Sequence, residues 1–144
     1  MAVNSSAQGL LVLRLCLGVF LVAQGYGKIG WLTDPGPLTT TLQGYLEASN
    51  AWNRPYLEMV CIPGAAVFAR LVPIGEMATG LALLVGFYTR WAALIALLMV
   101  VNFHFAGSFF FTWRYLTNGY GPPVIGGLLA LVLGGAATSR SLRK

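Results

Sequence analysis

Charge is what this sequence has least of. Nine Lys and Arg stand against four Asp and Glu, so 9% of the 144 residues are charged, while 57% are hydrophobic and the mean hydropathy is +0.72. A water-soluble domain carries about a quarter charged residues. So few charges cannot solvate a surface of this size, which sets aside a soluble enzyme, a disordered linker and a nucleic-acid module. Cysteine is scarce too. Cys16 and Cys61 lie far apart with no CxxC pair, which argues against a disulfide-relay enzyme and gives no metal-site spacing. The lone histidine, His104, has no second histidine to pair with, and no nucleotide-binding motif is present. No basic n-region opens the chain, and Arg14 interrupts the first apolar stretch, so the start does not read as a cleaved signal peptide. There is no internal repeat, heptad or low-complexity segment. What these absences leave is an integral membrane protein.

The spans can be counted between the charges. Residues 91–113 and 115–139 are uncharged, and each run exceeds the roughly 20 residues that cross a bilayer as a helix. Two more stretches are apolar around isolated charges: 7–29 holds Arg14 and Lys28, and 63–86 holds Arg70 and Glu76. The expected architecture is an all-α integral membrane four-helix bundle in one domain, 1–144, with helices at about 7–29, 63–86, 90–111 and 121–137. Arg90, Arg140, Arg143 and Lys144 then share one side, while Lys28, Arg54 and Arg114 on the other are diluted by Asp34, Glu47 and Glu58. The positive-inside bias places both termini in the cytoplasm of a bacterial inner membrane, with 30–62 outside. Three basic residues in the tail suit an anionic leaflet and are too few for nucleic acid.

Within 30–62, Gly36-Pro37 suits a helix start. Leu38, Leu42, Tyr45 and Leu46 then recur at helical spacing opposite Thr39, Thr40, Gln43 and Glu47. This predicts an amphipathic helix in the outer interface, between the first and second transmembrane helices. Trp31, Tyr45, Trp52 and Tyr56 are expected at headgroup depth.

Arg14 and Glu76 are the costliest residues to bury, at roughly 2.5–3.5 kcal/mol each at a helix centre. With both termini inside, their depths and that of Asn102 are similar, so the three are expected to close one polar cluster. That cluster serves either as interhelical glue or as a site for a proton, a quinone head or another polar ligand. Pro73, within a turn of Glu76, frees the carbonyl of Ala69 and opens the helix locally. His104 lies about 200° around the helix from Asn102 and is not expected to share its face. Amid Phe103, Phe105, Phe109, Phe110 and Phe111 it is a candidate ligand for a pigment metal or haem, or a partner for a quinone carbonyl. The alternative is a hydrogen bond to a neighbouring helix. Gly126, Ala130 and Gly134 on the last helix, with Gly18 and Gly25 on the first, are expected to let other backbones approach closely.

The residues Arg14-Leu15, Gly18, Phe20 and Gly25 through Gly27-Lys28 resemble the DoxX family of small four-helix bacterial membrane proteins. So do Glu76-x-x-x-Gly80-x-Ala82-Leu83-Leu84-x-Gly86 with Thr89-Arg90, and the apolar third helix with Asn102. The resemblance implies a four-helix bundle associated with membrane redox systems, with its polar core at Arg14, Glu76 and Asn102. DoxD relatives resemble the membrane subunit of thiosulfate:quinone oxidoreductases, yet nothing here matches a thiosulfate-handling cysteine site.

The expected function is an accessory or anchoring subunit of a membrane redox or energy-converting complex, non-catalytic rather than a self-contained enzyme. Its partners would be the lipid bilayer and other membrane subunits. Alternatives are a quinone-reactive oxidoreductase subunit using Arg14 and Glu76, a pigment- or haem-bearing subunit using His104, and a small transporter. Four helices are few for alternating access, which usually draws on repeats.

Overall fold

The structure, a computed structural model, describes residues 5–135. The basic tail at Arg140, Arg143 and Lys144 lies outside the described residues. Those described form helices joined by turns, with no strand among them. They are α1 (Ser5–Gly27), a 3-10 turn (Ile29–Leu32), α2 (Gly36–Glu47), α3 (Arg54–Tyr56) running into a wider turn (Leu57–Cys61), α4 (Ala65–Val85), α5 (Thr89–Ala106), a 3-10 turn (Phe109–Phe111), α6 (Arg114–Thr117) and α7 (Pro122–Gly134).

Among the described residues three helices are long and apolar enough to cross a membrane: Ser6–Gly27, Ala65–Val85 and Thr89–Ala106. Their outward faces carry large apolar side chains such as Val19, Leu71 and Leu98, between 57% and 60% exposed. Water would penalise a surface of this kind, and hydrocarbon would not. The fourth expected span is shorter. Pro122–Gly134 has 13 residues, about 20 Å of helix against a hydrocarbon core of about 30 Å, and residues 136 and 137 of the expected helix lie outside the described ones.

The long helices and α7 pack in a ring: α1 on α4, α4 on α5, α5 on α7 and α7 back on α1. Small residues set the closest crossing. A Cβ built on Gly18 would stand 3.0 Å from the Gly80 carbonyl oxygen, and one on Gly80 would stand 2.8 Å from the Gly18 carbonyl. Gly25 meets α4 in the same way, 2.8 Å from the Pro73 carbonyl. Gly80 therefore belongs with Gly18 and Gly25 in bringing the backbones together, as small residues do between membrane helices. On α7 the expected stripe needs correction. Gly126 faces open space, whereas its neighbour Gly127 packs on Leu13 and Leu17, and Gly134 packs on Leu10. A four-residue repeat drifts around a 3.6-residue helix, so one stripe cannot stay on a neighbour for long. Ala130 is half-buried on that drifting edge.

Helix ends are set locally. At Gly86 the backbone turns left-handed (φ 77°) and its amide reaches the Ala82 and Leu83 carbonyls, stopping α4. The third long helix ends at Ala106, five residues before the expected 111, because Ser108 takes a left-handed turn (φ 59°). A buried side chain from the turn between α2 and α3 secures that end. Asn53 Nδ2 donates to the Phe105 and Ala106 carbonyls at 3.2 and 2.9 Å and to Ser108 Oγ at 2.7 Å. Its Oδ1 accepts from the Asn50 amide at 3.0 Å. Asn53 thus supplies donors to carbonyls that a helix C-terminus leaves without intrahelical partners.

The helix expected after Gly36-Pro37 is α2, which begins with proline in its first turn. Its apolar stripe turns onto the protein. Leu38 and Leu42 are buried with Leu57, Cys61, Ala65, Ala69 and Ala106, and Tyr45 and Leu46 pack against that cluster. Burying Leu38 and Leu42 contributes about 1.5–3 kcal/mol each. Trp31 and Tyr56 pack on the same cluster, and Trp52, 80% exposed, is the aromatic of this segment left facing outward.

Candidate functional site

α2 roofs a cavity of about 310 Å³ at the end of the molecule where α1 finishes and α4 begins. Its walls come from Phe20 and Leu21 of α1, Leu38 and Leu42 of α2, Phe68 and Val72 of α4, and Phe103 of α5. Into this apolar lining project a few polar groups: Lys28, Glu76, Asn102, His104 and Tyr120 among them. The combination of apolar walls with a small convergent polar set is that of a small-molecule site, and the volume lies at the lower end of such sites.

Glu76, 4% exposed, sits midway along α4. Both of its carboxylate oxygens are held by Lys28 Nζ, at 2.6 and 2.7 Å. The ammonium also stands 5.9 Å above the Phe103 ring. The expected partner, Arg14, is buried elsewhere, 6% exposed, and does not line the cavity. Direction explains the exchange. α1 and α4 run antiparallel, since Gly18 faces Gly80 and Gly25 faces Pro73. Side chains lean toward the N-terminus of their own helix. Arg14 therefore leans toward Ser5 and Glu76 toward Ala65, which are opposite ends of the pair. Lys28, on the turn closing α1, stands at the end toward which Glu76 leans.

Asn102 borders the same cavity as Glu76, with Tyr56 as its hydrogen-bond partner. Its Oδ1 accepts a 2.5 Å hydrogen bond from the Tyr56 hydroxyl, and it borders the cavity from α5. Burial pushes the Tyr56 hydroxyl above its usual range, and the Cys61 thiol with it. His104 is 2% exposed and also lines the cavity, contrary to the expectation that it and Asn102 serve different surfaces. The angular separation is real, but the cavity is broad enough to be bounded by Asn102, Phe103 and His104 together. His104 Nδ1 lies 2.8 Å from the Val100 carbonyl oxygen, and its Nε2 is buried with no hydrogen-bond partner among the described residues. Phe109, Phe110 and Tyr115 surround the ring at 5.4–5.8 Å between centroids.

Tyr120, just before α7, closes the far wall, edge-on to Phe20 at 5.1 Å. Burial raises its hydroxyl above the usual phenol value, the nearby Glu76 charge adds to this, and a hydrogen bond with Gln24 opposes it. Cys61 lines the cavity, while Cys16 is exposed on α1; both are free thiols. Among the described residues no group of three or more His, Cys, Asp or Glu could hold a metal ion.

A sequence model of the DoxX family matches residues 9–111. The chain belongs to the DoxX family. That stretch begins near the start of α1 and runs through α5 to the turn after it. It therefore takes in Lys28, Glu76, Asn102 and His104 of this DoxX protein, but not Tyr120. No match was found among curated proteins or solved structures. Lys28, Asn53 and Tyr120 are residues whose place here sequence reasoning missed. Lys28 was legible as a charge at a helix end and as part of the family resemblance, and Asn53 as one polar residue in a loop.

Proposed function

We propose that this DoxX protein is an accessory subunit of a membrane redox complex, and that its cavity holds the ring of a quinone-type carrier. The observation that carries the reading is the 310 Å³ cavity between α1, α2, α4 and α5, apolar-walled and edged by Lys28, Glu76, Asn102 and His104. A membrane carrier has a ring with polar substituents and an apolar tail, and this lining meets both needs. Lys28 directs two short hydrogen bonds at Glu76, which leaves a third ammonium hydrogen for a ring oxygen. Phe20, Phe68 and Phe103 supply flat apolar surface, and α2 shields the ring from water. When bound, a quinone supplies reversible two-electron chemistry; the chain's own part is to bind, orient and exclude water. A tetrapyrrole at His104 fits poorly, since a macrocycle is larger than the cavity.

The chain crosses a bacterial inner membrane four times with both termini cytoplasmic, and α7 belongs to the last span. The cavity then lies in the outer half of the bilayer, beneath α2. Trp31 lines the cavity and provides the test. Titrating the full-length protein in mild detergent with a short-chain naphthoquinone should quench tryptophan fluorescence saturably, and Trp31→Phe should remove most of the saturable part. A quench that rises linearly with quinone in both proteins refutes the site. Redox subunits copurifying from native membranes should accompany the protein; their absence would remove the complex-subunit half of the reading.

A further inference from the structure

The long helices α1, α4 and α5 wall the cavity on three sides, and toward α7 its wall is of another kind. Gly134 of α7 packs on Leu10 and Gly127 on Leu13 and Leu17, so α7 runs antiparallel to α1. Its first residue, Pro122, then stands level with Phe20, whose ring meets Tyr120 edge-on at 5.1 Å. From Phe20, α1 continues to Gly27, roughly 10 Å further at about 1.5 Å per residue. On the other flank Gly135 packs on Thr89 and Arg90, and Arg90 Nε donates to the Val132 carbonyl at 2.8 Å. The start of α7 is therefore level with Val101, and α5 continues to Ala106. Beyond Pro122 the gap between α1 and α5 is faced by side chains of the connecting segment, and Phe109, Asn118 and Tyr120 line the cavity there.

Phe20 and Tyr120 are both half-buried and both line the cavity, so one layer of side chains separates it from the lipid beside α7. The outer rim is small and apolar: Ala23 and Pro123 are exposed, and Gly126 faces open space. The Tyr120 backbone is held in place. Its amide donates to Asn118 Oδ1 at 2.9 Å, the Gly121 amide donates to the Asn118 carbonyl at 2.9 Å, and a Cβ on Gly121 would collide with the Tyr115 carbonyl. Opening here needs the rotation of one ring, which moves apolar atoms from protein into hydrocarbon at little cost. Lifting α2 instead would uncover Leu38 and Leu42, now 4% and 6% exposed, toward the headgroups and water. The side route is the easier one. We infer that Phe20 and Tyr120 form a side door between α1 and the start of α7: a ring enters the cavity through it from the bilayer, and the ring's apolar tail lies in it while the ring is bound. The inference rests on the cavity being the ligand site proposed above. It narrows the ligand to a carrier with a long apolar tail, taken from hydrocarbon and not from water.

A photolabel reads the direction of the tail in the wild-type protein. A 2-methyl-1,4-naphthoquinone carrying a diazirine near the ring end of its 3-side chain is irradiated with the full-length protein in lipid nanodiscs, with and without excess 2,3-dimethyl-1,4-naphthoquinone. Labelling that the tail-less competitor displaces should fall on the peptides holding Phe20 and Tyr120. Displaceable labelling on α2, on Trp31 or elsewhere in the chain overturns the side door and leaves the ligand site standing. The absence of any displaceable labelling overturns the site itself. A second measurement blocks the door from outside the cavity. Gln24 stands on α1 one turn beyond Phe20 and beside the Tyr120 hydroxyl, and does not line the cavity. In calorimetric titrations in mild detergent, Gln24→Trp should weaken binding of 2-methyl-3-geranyl-1,4-naphthoquinone by about tenfold or more, and leave the 2,3-dimethyl compound within about twofold of wild type. Unchanged binding of both compounds, or equal loss of both, overturns the side door.

Discussion

The Lys28–Glu76 ion pair should be energetically coupled, and Arg14 should not be part of that coupling. Glu76 keeps 5% of its side-chain surface exposed and Lys28 keeps 20%. Removing one partner of a buried pair typically costs 3–5 kcal/mol because a charge is left uncompensated. The two single changes are nevertheless unequal. Lys28→Met strands Glu76 in the middle of α4 and should cost about 3 kcal/mol. Glu76→Leu leaves Lys28 at the rim, where its flexible stem lets the ammonium reach toward water, and about 1–2 kcal/mol is expected. The double variant replaces the pair by apolar groups and should recover about 2 kcal/mol relative to the sum. Equilibrium unfolding of the four proteins, by titrating a denaturing detergent into mild-detergent micelles, measures this directly. The control cycle pairs Arg14→Leu with Glu76→Leu, which should add to within about 0.5 kcal/mol because the side chains lean apart. Coupling above about 1 kcal/mol between Arg14 and Glu76, or none between Lys28 and Glu76, would refute the directional argument.

Asn53→Ala removes an amide whose two hydrogens are shared among three acceptors at the end of α5 and should destabilise the protein by about 2–3 kcal/mol in the same unfolding assay. Gly80→Val puts a branched side chain where a Cβ alone meets backbone at 2.8 Å, so folded yield should collapse, whereas Gly126→Val faces open space and should preserve yield by size-exclusion chromatography. Because burial raises the Cys61 thiol, its maleimide labelling should be slow at neutral pH and accelerate through the alkaline range as thiolate forms. Since Cys61 lines the cavity, a bound naphthoquinone should slow that labelling further, as mass spectrometry of the tryptic peptide would show. Reporter fusions at Asn50 and after Lys144 should report opposite sides of the membrane; the same side for both contradicts the four-span orientation.

The fold class was legible because membrane composition leaves few choices. A run without charge longer than about 20 residues in so apolar a chain reads as a span whatever the neighbouring helices do. Glu76, Asn102 and His104 were legible as candidates for the same reason, since polar groups stand out against an apolar background. The pairing was not. Depth alone made Arg14 and Glu76 neighbours, and only the antiparallel lean of their side chains separates them, a rule that needs to be applied to the helices as a pair. Asn53 was illegible in principle from local pattern, because its partners lie more than fifty positions away at Phe105, Ala106 and Ser108. The apolar stripe of α2 was legible, but not what it covers: leucines at helical spacing look alike whether they face lipid or roof a cavity.

Why the cavity lies at this end follows from the order of small and large residues along α5. Its first half presents Ala92, Ala93 and Ala96 to the core with Leu17, Leu21, Leu83, Leu128 and Leu131, all buried in one dry cluster. Alanine fills little space, so neighbouring helices must close in to avoid a void. Further along, the residues bordering the cavity are Val100, Asn102, Phe103 and His104, and those facing them include Phe20, Phe68 and Val72. Bulky groups on several sides hold stiff helices apart, and two turns are too short a distance for a helix to bend around them. The resulting space cannot be filled by the long helices themselves. It falls to α2, tied down by Leu38 and Leu42 and backed by the Asn53 clamp on α5, to close it from above. Glu76, with Lys28, Asn102 and His104, thus borders a space that the long helices leave open. A site built for packing alone would have no reason to keep it.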